Sequence, residues 1–313
     1  MSLWVQIVLS GLAAGSVYGL IGIGHTLVHR LTGIVHFALG DMVGLGVFIT
    51  LLVTAGRGPV TQATASTGRF ALGLIVALAM TTAIGVASYL VVIHPYLLRG
   101  STMGWVAGSV GVAFAIQAFL AALFGRAAYV FPDAIPFHDV GSNGIVTVAG
   151  ASFQVRSLLV IALGIALAWG VQATITRTRF GRGLQAVAED VTGAHVVGVP
   201  VDTYVSLAFG LVGAVAVVIA VVAAPSGPFS VTAGTILGVK GLIVAVLVRF
   251  STPWAAFAAG LGLGVVESAI ASGTIFGAGL GPAYREVLPF AAVLLVLALR
   301  ERALRPDVET ELG

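Results

Sequence analysis

Residues 70–93 read FALGLIVALAMTTAIGVASYLVVI, an apolar stretch of 24 residues that contains no charged side chain. A helix that crosses the hydrocarbon core of a bilayer needs about 20 mainly apolar residues. The stretch therefore predicts a membrane-spanning helix, and the composition of the whole chain agrees. Of the 313 residues, 58% are hydrophobic and 9% are charged, whereas soluble domains carry about 25% charged residues. This composition excludes a cytosolic globular protein, a disordered chain and a nucleic-acid-binding protein.

Eight further stretches have the same apolar character. Together they predict an all-α polytopic membrane protein with about eight or nine transmembrane helices, one of which could be broken or re-entrant. The further stretches are Leu3–Ile23, Ile34–Val53, Met103–Phe124, Ser157–Ala173, Tyr204–Ala223, Val231–Val248, Trp254–Ser272 and Val287–Leu299. We expect residues 1–313 to form a single transmembrane domain.

Basic residues predict which side of the membrane each connection faces. Three arginines between 177 and 182 follow the fifth predicted span, and three between 300 and 305 follow the ninth. Arg99 follows the third span, and His29 with Arg30 follows the first. With nine spans all four groups fall on one side, and an excess of basic residues marks the cytoplasmic side. The C-terminus is therefore expected in the cytoplasm.

The connection 125–156 falls on the outer side in this orientation. It contains Pro132 and Pro136, then Gly144 and the run IVTVAGASF at 145–153. Short apolar runs around a glycine turn are typical of a β-hairpin. We expect a small external β-hairpin in this loop, and a plain flexible loop is the alternative.

The sequence contains no enzyme motif. A GxxxxGK[ST] phosphate-binding loop is absent, and the only lysine, Lys240, is followed by Gly241 and Leu242. ATP hydrolysis by that mechanism would therefore need a separate chain. His25 and His29 have the spacing of metal ligands on a helix, but no close carboxylate accompanies them, and two polar residues at a helix end are the alternative. We expect no catalytic residues, metal or cofactor.

Four ionisable residues lie within the predicted spans, namely His36, Asp41, Lys240 and Glu267. A charge at such depth costs at least about 2.5–3.5 kcal/mol, so these groups should be paired and face the bundle interior or water. Asp41 would lie roughly 10 Å deep at about 1.5 Å per residue. We predict an intramembrane polar network in which Lys240 pairs with Glu267, Asp41 or both. The network would either border a transport path or lock helices together.

The cytoplasmic connection 174–203 is much longer than the usual helix connection of about 2–8 residues. Leu184, Val187, Val191 and Ala194 follow one another at helical spacing. This pattern predicts a short amphipathic helix that ends near Gly198. The helix would be a docking surface for a partner, or it would rest on the membrane surface.

Taken together, these segments resemble the membrane permease subunits of branched-chain amino-acid ABC importers of the LivH type. The similarity covers nearly the whole chain and depends on the order and spacing of its motifs. Residues 33–41, GIVHFALGD, resemble that family's NFAHGE/D element, with His36 in place of Asn and Leu39 in place of His. The other matching segments are 11–24 in the first span, 186–199 in the cytoplasmic connection, 238–241 (GVKG) and 264–267 (GVVE).

The resemblance implies a permease in the bacterial inner membrane, surrounded by the lipid bilayer. Its partners would be cytoplasmic ABC ATPase subunits, a second permease subunit in a homo- or heterodimer, and an external solute-binding protein. The connection 174–203 would then be the coupling helix. The residues expected to couple to the ATPase are Arg179, Arg182, Leu184, Val187, Glu189, Asp190, Val191, His195 and Gly198.

The function that this resemblance implies is a translocation path for branched-chain or similar small amino acids. The departures at His36 and Leu39 leave the solute open, because similar permeases handle amides or urea. The alternative function is a stand-alone secondary transporter or channel for a small polar solute that uses Asp41 or Glu267. An intramembrane enzyme would need a nucleophile or metal constellation that the sequence lacks.

Overall fold

A computed structural model describes residues 2–56, 67–99, 103–131, 145–148, 151–223 and 228–273, together with Val287 and Ala291. Helices dominate these residues. The elements in chain order are α1 (Ser2–Thr32), α2 (Leu39–Ala55), α3 (Thr67–Ala87), a π-helical segment (Ser88–Ile93), α4 (His94–Leu98), α5 (Gly104–Phe124), β1 (Ile145–Val148), β2 (Ala151–Gln154), α6 (Val155–Arg177), α7 (Arg179–Glu189), α8 (Val191–Val196), α9 (Val201–Ala223), α10 (Ala233–Leu247) and α11 (Pro253–Ala271).

Within the described ranges, six helical stretches are long and apolar enough to cross a membrane. They are Leu3–Thr32, Thr67–Leu98, Gly104–Phe124, Ser157–Arg177, Val201–Val221 and Pro253–Ala271. The all-helical class is therefore confirmed, but the predicted count of eight or nine spanning helices is not supported. Helices α2 and α10 have only 17 and 15 residues, and a span needs about 20. The ninth predicted span, Val287–Leu299, lies outside the described residues except for Val287 and Ala291.

Helix α2 is short because the chain is not helical over residues 34–38. Gly33 has a φ of 71°, a conformation that glycine adopts readily and that commonly ends a helix. The predicted span starting at Ile34 therefore becomes a helix starting at Leu39. As a result, Asp41 lies in the first turn of α2 instead of deep within it, and His36 lies in the connection before the helix.

Among the described helices, α1 and α11 form the most extensive pair, and glycines allow their backbones to approach closely. A Cβ atom added at Gly15 would lie 2.5 Å from the carbonyl oxygen of Gly260, and one at Gly11 would lie 2.5 Å from the Cα of Val265. Small residues at such crossings permit close van der Waals packing where lipid supplies no hydrophobic force between helices. We call this contact the glycine seam.

The other central helices surround α2 and the second half of α1. Helix α2 packs against α3, α9 and α10, and α1 also packs against α6, α9 and α10. Phe48 in α2 and Phe209 in α9 are among the largest fully buried side chains. Helices α5 and α6 lie at the edge, where Phe114 and Trp169 are exposed. Exposed apolar side chains on spanning helices are typical of a surface in contact with lipid.

Strands β1 and β2 pair antiparallel, with Ile145 opposite Gln154 and Val148 opposite Ala151. Each strand has four residues, and no larger sheet occurs among the residues that the structure describes. Residues 132–144 and 149–150 of the predicted loop lie outside the described part of the chain. The external position of the segment 125–156 therefore stays a prediction.

Candidate functional site

A polar cluster around Asp41 joins α2, α5 and α10. The Oδ1 atom of Asp41 accepts a hydrogen bond from the Thr235 hydroxyl at 2.7 Å and one from Gln117 Nε2 at 3.1 Å. Gln117 Nε2 also donates to the Thr235 hydroxyl at 2.9 Å. Asp41 is only 2% exposed, and its second oxygen, Oδ2, is buried without a hydrogen-bond partner among the described residues. One carboxylate oxygen is thus satisfied twice and the other is left unpaired.

Glycines hold this cluster in place where α2 crosses α10. A Cβ atom at Gly234 would lie 2.5 Å from the carbonyl oxygen of Gly40, and one at Gly238 would lie 2.8 Å from the Cα of Gly40. No side chain can separate the two backbones at this crossing. Asp41 and Thr235 each follow one of these glycines in sequence, so the crossing brings their side chains within hydrogen-bonding distance.

A second cluster surrounds Lys240 and joins α1, α10 and α11. Lys240 Nζ lies 2.9 Å from Glu267 Oε1, and the side chains of Lys240 and Glu267 are 13% and 3% exposed. Lys240 also donates to the Tyr18 hydroxyl at 3.2 Å and lies 5.0 Å from the centre of that ring. Of the two partners predicted for Lys240, Glu267 therefore makes the contact. Asp41 belongs to the separate cluster with Gln117 and Thr235.

His36 is fully buried in the connection between α1 and α2. Its Nε2 atom lies 3.5 Å from the Ser88 hydroxyl, and its ring centre lies 5.3 Å from that of Phe209. Ser88 is the first residue of the π-helical segment. The structure thus places His36 against this segment, apart from the contacts that Asp41 makes.

The π-helical segment also contacts the start of α9 through Asp202. The Tyr89 hydroxyl donates to Asp202 Oδ1 at 3.0 Å, and His94 Nε2 lies 3.2 Å from the same oxygen. Segments of π-helix occur often at functional sites. Since α9 follows α7 and α8 in the chain, Asp202 connects the end of the connection 174–203 to this irregular part of the membrane bundle.

The two histidines with metal-ligand spacing have separate partners. His25 Nε2 lies 3.3 Å from the carbonyl oxygen of Gly238. The ring of His29 stacks on Phe250 with ring centres 3.9 Å apart. Within the described residues, no group of three or more His, Cys, Asp or Glu side chains is placed to hold a metal ion.

The connection 174–203 contains two short helices, α7 and α8, instead of the single amphipathic helix predicted. The break lies at Asp190, whose Oδ1 accepts a hydrogen bond from the backbone N–H of Thr192 at 2.9 Å. An aspartate that caps a helix in this way satisfies a free N–H group of the first turn. Asp190 therefore begins α8, and α7 ends at Glu189.

The face of α7 that carries Leu184 and Val187 is buried within the chain. Both side chains are 1% exposed, and Phe180 stacks on Tyr204 of α9 with ring centres 5.6 Å apart. Leu184 and Val187 thus anchor the connection, although the sequence analysis expected both among the residues that couple to the ATPase. The predicted coupling residues that are exposed are Arg179, Arg182, Glu189, Asp190, Val191, His195 and Gly198.

Sequence reasoning missed several residues that complete these sites. Val196 and Val197, at the end of α8, are 82% and 75% exposed and form an apolar surface beside the charged residues. Gln117 carries the single carboxamide in α5, and this polar group within an apolar span was an available signal. Thr235 gave no signal, since threonine is common in spanning helices and often bonds within its own helix.

The chain is similar in sequence to permease proteins of known transport systems. Residues 7–297 match the family described as branched-chain amino acid transport system / permease component. The high-affinity branched-chain amino acid transport system permease protein BraD of Pseudomonas aeruginosa is 28% identical over 98% of this chain and 97% of that protein. The corresponding permease protein LivH of Escherichia coli is 25% identical over the same shares, 98% and 97%. The solved structure of PsaBC from Streptococcus pneumoniae in complex with Fab covers 95% of this chain and 91% of that chain, with a TM-score of 0.49 and 15% identity.

Proposed function

The chain belongs to the family of branched-chain amino acid transport system permease components, and from this we propose that it is the membrane-spanning subunit of an ATP-driven amino acid importer. The observation that carries the proposal is the match over residues 7–297, which covers nearly the whole chain. The solutes would be branched-chain or similar small amino acids, delivered by an external solute-binding protein. Family membership does not favour the alternative of a stand-alone secondary transporter.

The connection 174–203 would dock on a cytoplasmic ABC ATPase subunit. Two features of α7 and α8 support this role. One face is anchored in the bundle by Leu184 and Val187, and the other exposes charged side chains beside Val196 and Val197. Clustered apolar side chains on an exposed surface often mark a protein contact. ATP hydrolysis would occur on the ATPase, and movement there would reach the bundle through Asp202 and the π-helical segment.

This role fixes the proposed orientation and assembly. The connection 174–203 and the C-terminus would face the cytoplasm of a bacterial cell, and 125–156 would face outward. Residues 1–313 would act as one transmembrane domain that pairs with a second permease subunit, either an identical chain or a related one.

The clusters inside the bundle would have different roles. Asp41 would border the translocation path, because its partners Gln117 and Thr235 are only half-buried. The Lys240–Glu267 pair would hold α1, α10 and α11 together beside the path, since both side chains are largely buried. His36 would support the connection between α1 and α2 next to Asp41.

Reversing charge on the exposed surface tests the docking role. Glu189→Arg and Asp190→Arg should leave a folded protein in detergent but prevent co-purification with the ATPase and ATP-dependent uptake in proteoliposomes. The matched control is Arg126→Glu, a charge reversal at an exposed residue just after the C-terminal end of α5, which should retain both activities. Normal association and uptake in the Glu189 and Asp190 variants would contradict docking at this surface. Uptake by the chain alone under a proton gradient would instead support the secondary transporter.

A further inference from the structure

We propose that the Asp41 carboxylate, bordered by Gln117 and Thr235, binds the ammonium group of the amino acid as it passes through the permease. The inference rests on the proposed function, because it requires that a solute travels through this chain. Beyond the proposed function, it names the protein atoms that would recognise the solute and the chemical group of the solute that they would bind.

The starting point is the unpaired oxygen. Nearly all buried polar atoms in folded proteins have at least one hydrogen-bond partner, so an exception needs an explanation. Asp41 Oδ1 accepts two hydrogen bonds, whereas Oδ2 accepts none from the described residues. The neighbouring side chains therefore fix the carboxylate through one oxygen and leave the other available to a ligand.

Charge points to a cationic ligand. A carboxylate within a membrane bundle is stabilised by an opposite charge. The chain's only lysine contacts Glu267 in the other cluster, and none of the contacts of Asp41 within the described ranges is an ion pair. A cation in transit would supply the charge that Asp41 lacks. The carboxylate end of an amino acid would be repelled from the same position.

The set of oxygen atoms distinguishes an ammonium group from a metal ion. A calcium ion takes about 6–8 oxygen ligands, and magnesium requires near-octahedral geometry. In this cluster Gln117 Nε2 and the Thr235 hydroxyl both donate to Asp41 Oδ1, so the Asp41 carboxylate is the main acceptor and too few oxygen ligands are present for either ion. An ammonium group has three N–H donors and no acceptor, so it can donate to Asp41 Oδ2, the oxygen that accepts no hydrogen bond from the described residues. Hydrogen bonds from a cation to a carboxylate are roughly twice as strong as neutral ones.

The position of the cluster also fits a site that a solute reaches and leaves. Asp41 is held at the glycine crossing of α2 and α10, which fixes the carboxylate before any ligand arrives. Gln117 and Thr235, which both donate to Asp41, are half-buried, so the cluster is less fully enclosed than Asp41 itself. Because Oδ2 is itself buried, a ligand would reach it only when neighbouring side chains turn away from Asp41. A binding site of this kind suits transient contact better than tight retention.

Ligand-observed NMR on the permease–ATPase complex in lipid nanodiscs, without the solute-binding protein, tests the assignment. The probes are leucine, isoamylamine, which keeps only the ammonium group, and isocaproate, which keeps only the carboxylate. Saturation transfer should appear with leucine and isoamylamine at millimolar concentration and be absent with isocaproate. Asp41→Asn should abolish both signals, and Thr235→Val, which preserves shape and the carboxylate, should weaken both about tenfold through the loss of one hydrogen bond to a charged group.

Arg126→Gln is the control, because it removes the charge of an exposed side chain outside the cluster and should leave the signals unchanged. Co-purification with the ATPase reports whether each variant is folded. Any of three results would overturn the assignment. The wild-type complex could show equal transfer to isoamylamine and isocaproate, or it could show no transfer to isoamylamine. The third such result is a leucine signal that is equal in wild type and Thr235→Val. A complex that imports leucine normally with Asp41→Asn would overturn this inference alone, whereas a wild-type complex without ATP-dependent uptake would overturn the proposed function.

Discussion

Replacing Lys240 by Met removes the cation that contacts Glu267 at 2.9 Å within the helix bundle. Methionine is close to lysine in length, so the packing against Tyr18 is largely retained while the charge is lost. Breaking a buried ion pair by removing one partner typically costs about 3–5 kcal/mol, because the remaining charge stays buried. Glu267 is 3% exposed at its side chain, so the full penalty should apply. We therefore expect Lys240→Met to lower the free energy of unfolding by about 3–5 kcal/mol.

The double variant Lys240→Met, Glu267→Gln should recover most of that loss, because replacing both charges of a buried pair is often close to neutral. Unfolding in mixed micelles, followed by circular dichroism, measures all four members of the cycle. Arg126→Met provides a control for removal of an exposed cation and should change the stability by less than about 0.5 kcal/mol. If the double variant is as unstable as the sum of the two single variants, the residues are not coupled and the assignment of the pair as a helix lock is wrong.

Three further predictions concern other contacts. Gly15→Ala should lower the free energy of unfolding by about 1–3 kcal/mol, because the added methyl group overpacks the glycine seam. The control is Gly262→Ala in α11, where a Cβ meets nothing within 4 Å, and it should have little effect in the same unfolding assay. Asp202→Ala should preserve co-purification with the ATPase but reduce ATP-dependent uptake, since it removes the contacts between α9 and the π-helical segment; unchanged uptake would show that these contacts carry no coupling. Gly183→Ala would place a Cβ against the ring of Tyr204, so α7 should shift and binding to the ATPase should weaken, which a pull-down titration would measure.

The helical class could be predicted from the sequence because burial in lipid depends on local hydrophobicity. The number of spanning helices could not, because a hydropathy window counts apolar residues without detecting breaks in the backbone. Residues 34–38 are apolar enough to join the second predicted span, yet Gly33 ends α1 and the chain resumes a helix only at Leu39. In the same way, the helical spacing of apolar residues continues past Asp190 and therefore predicted one helix where the structure has α7 and α8. An aspartate followed by Val191 and Thr192 was an available signal for the start of a new helix.

In the candidate site, too, some contacts could be predicted from the sequence and others could not. Glu267 could be named as one of two candidate partners of Lys240 because few charges occur in the predicted spans and charges inside a membrane are expected to pair, but only the structure selects it over Asp41. The partners of Asp41 were not predicted because neither is charged and both are distant in sequence. Gln117 and Thr235 lie 76 and 194 positions from Asp41, so only the folded arrangement of α2, α5 and α10 brings them together.

The glycine seam can form only late in synthesis of the chain. Gly15 and Gly260 are 245 positions apart, so at about 5–20 residues per second the ribosome needs roughly ten seconds to a minute to supply the second half of the contact. During that interval α1 is already inserted, and its groove of small residues must face lipid or a chaperone. Truncated chains that end before Pro253 would keep this groove open, which makes them natural targets for membrane quality-control proteases.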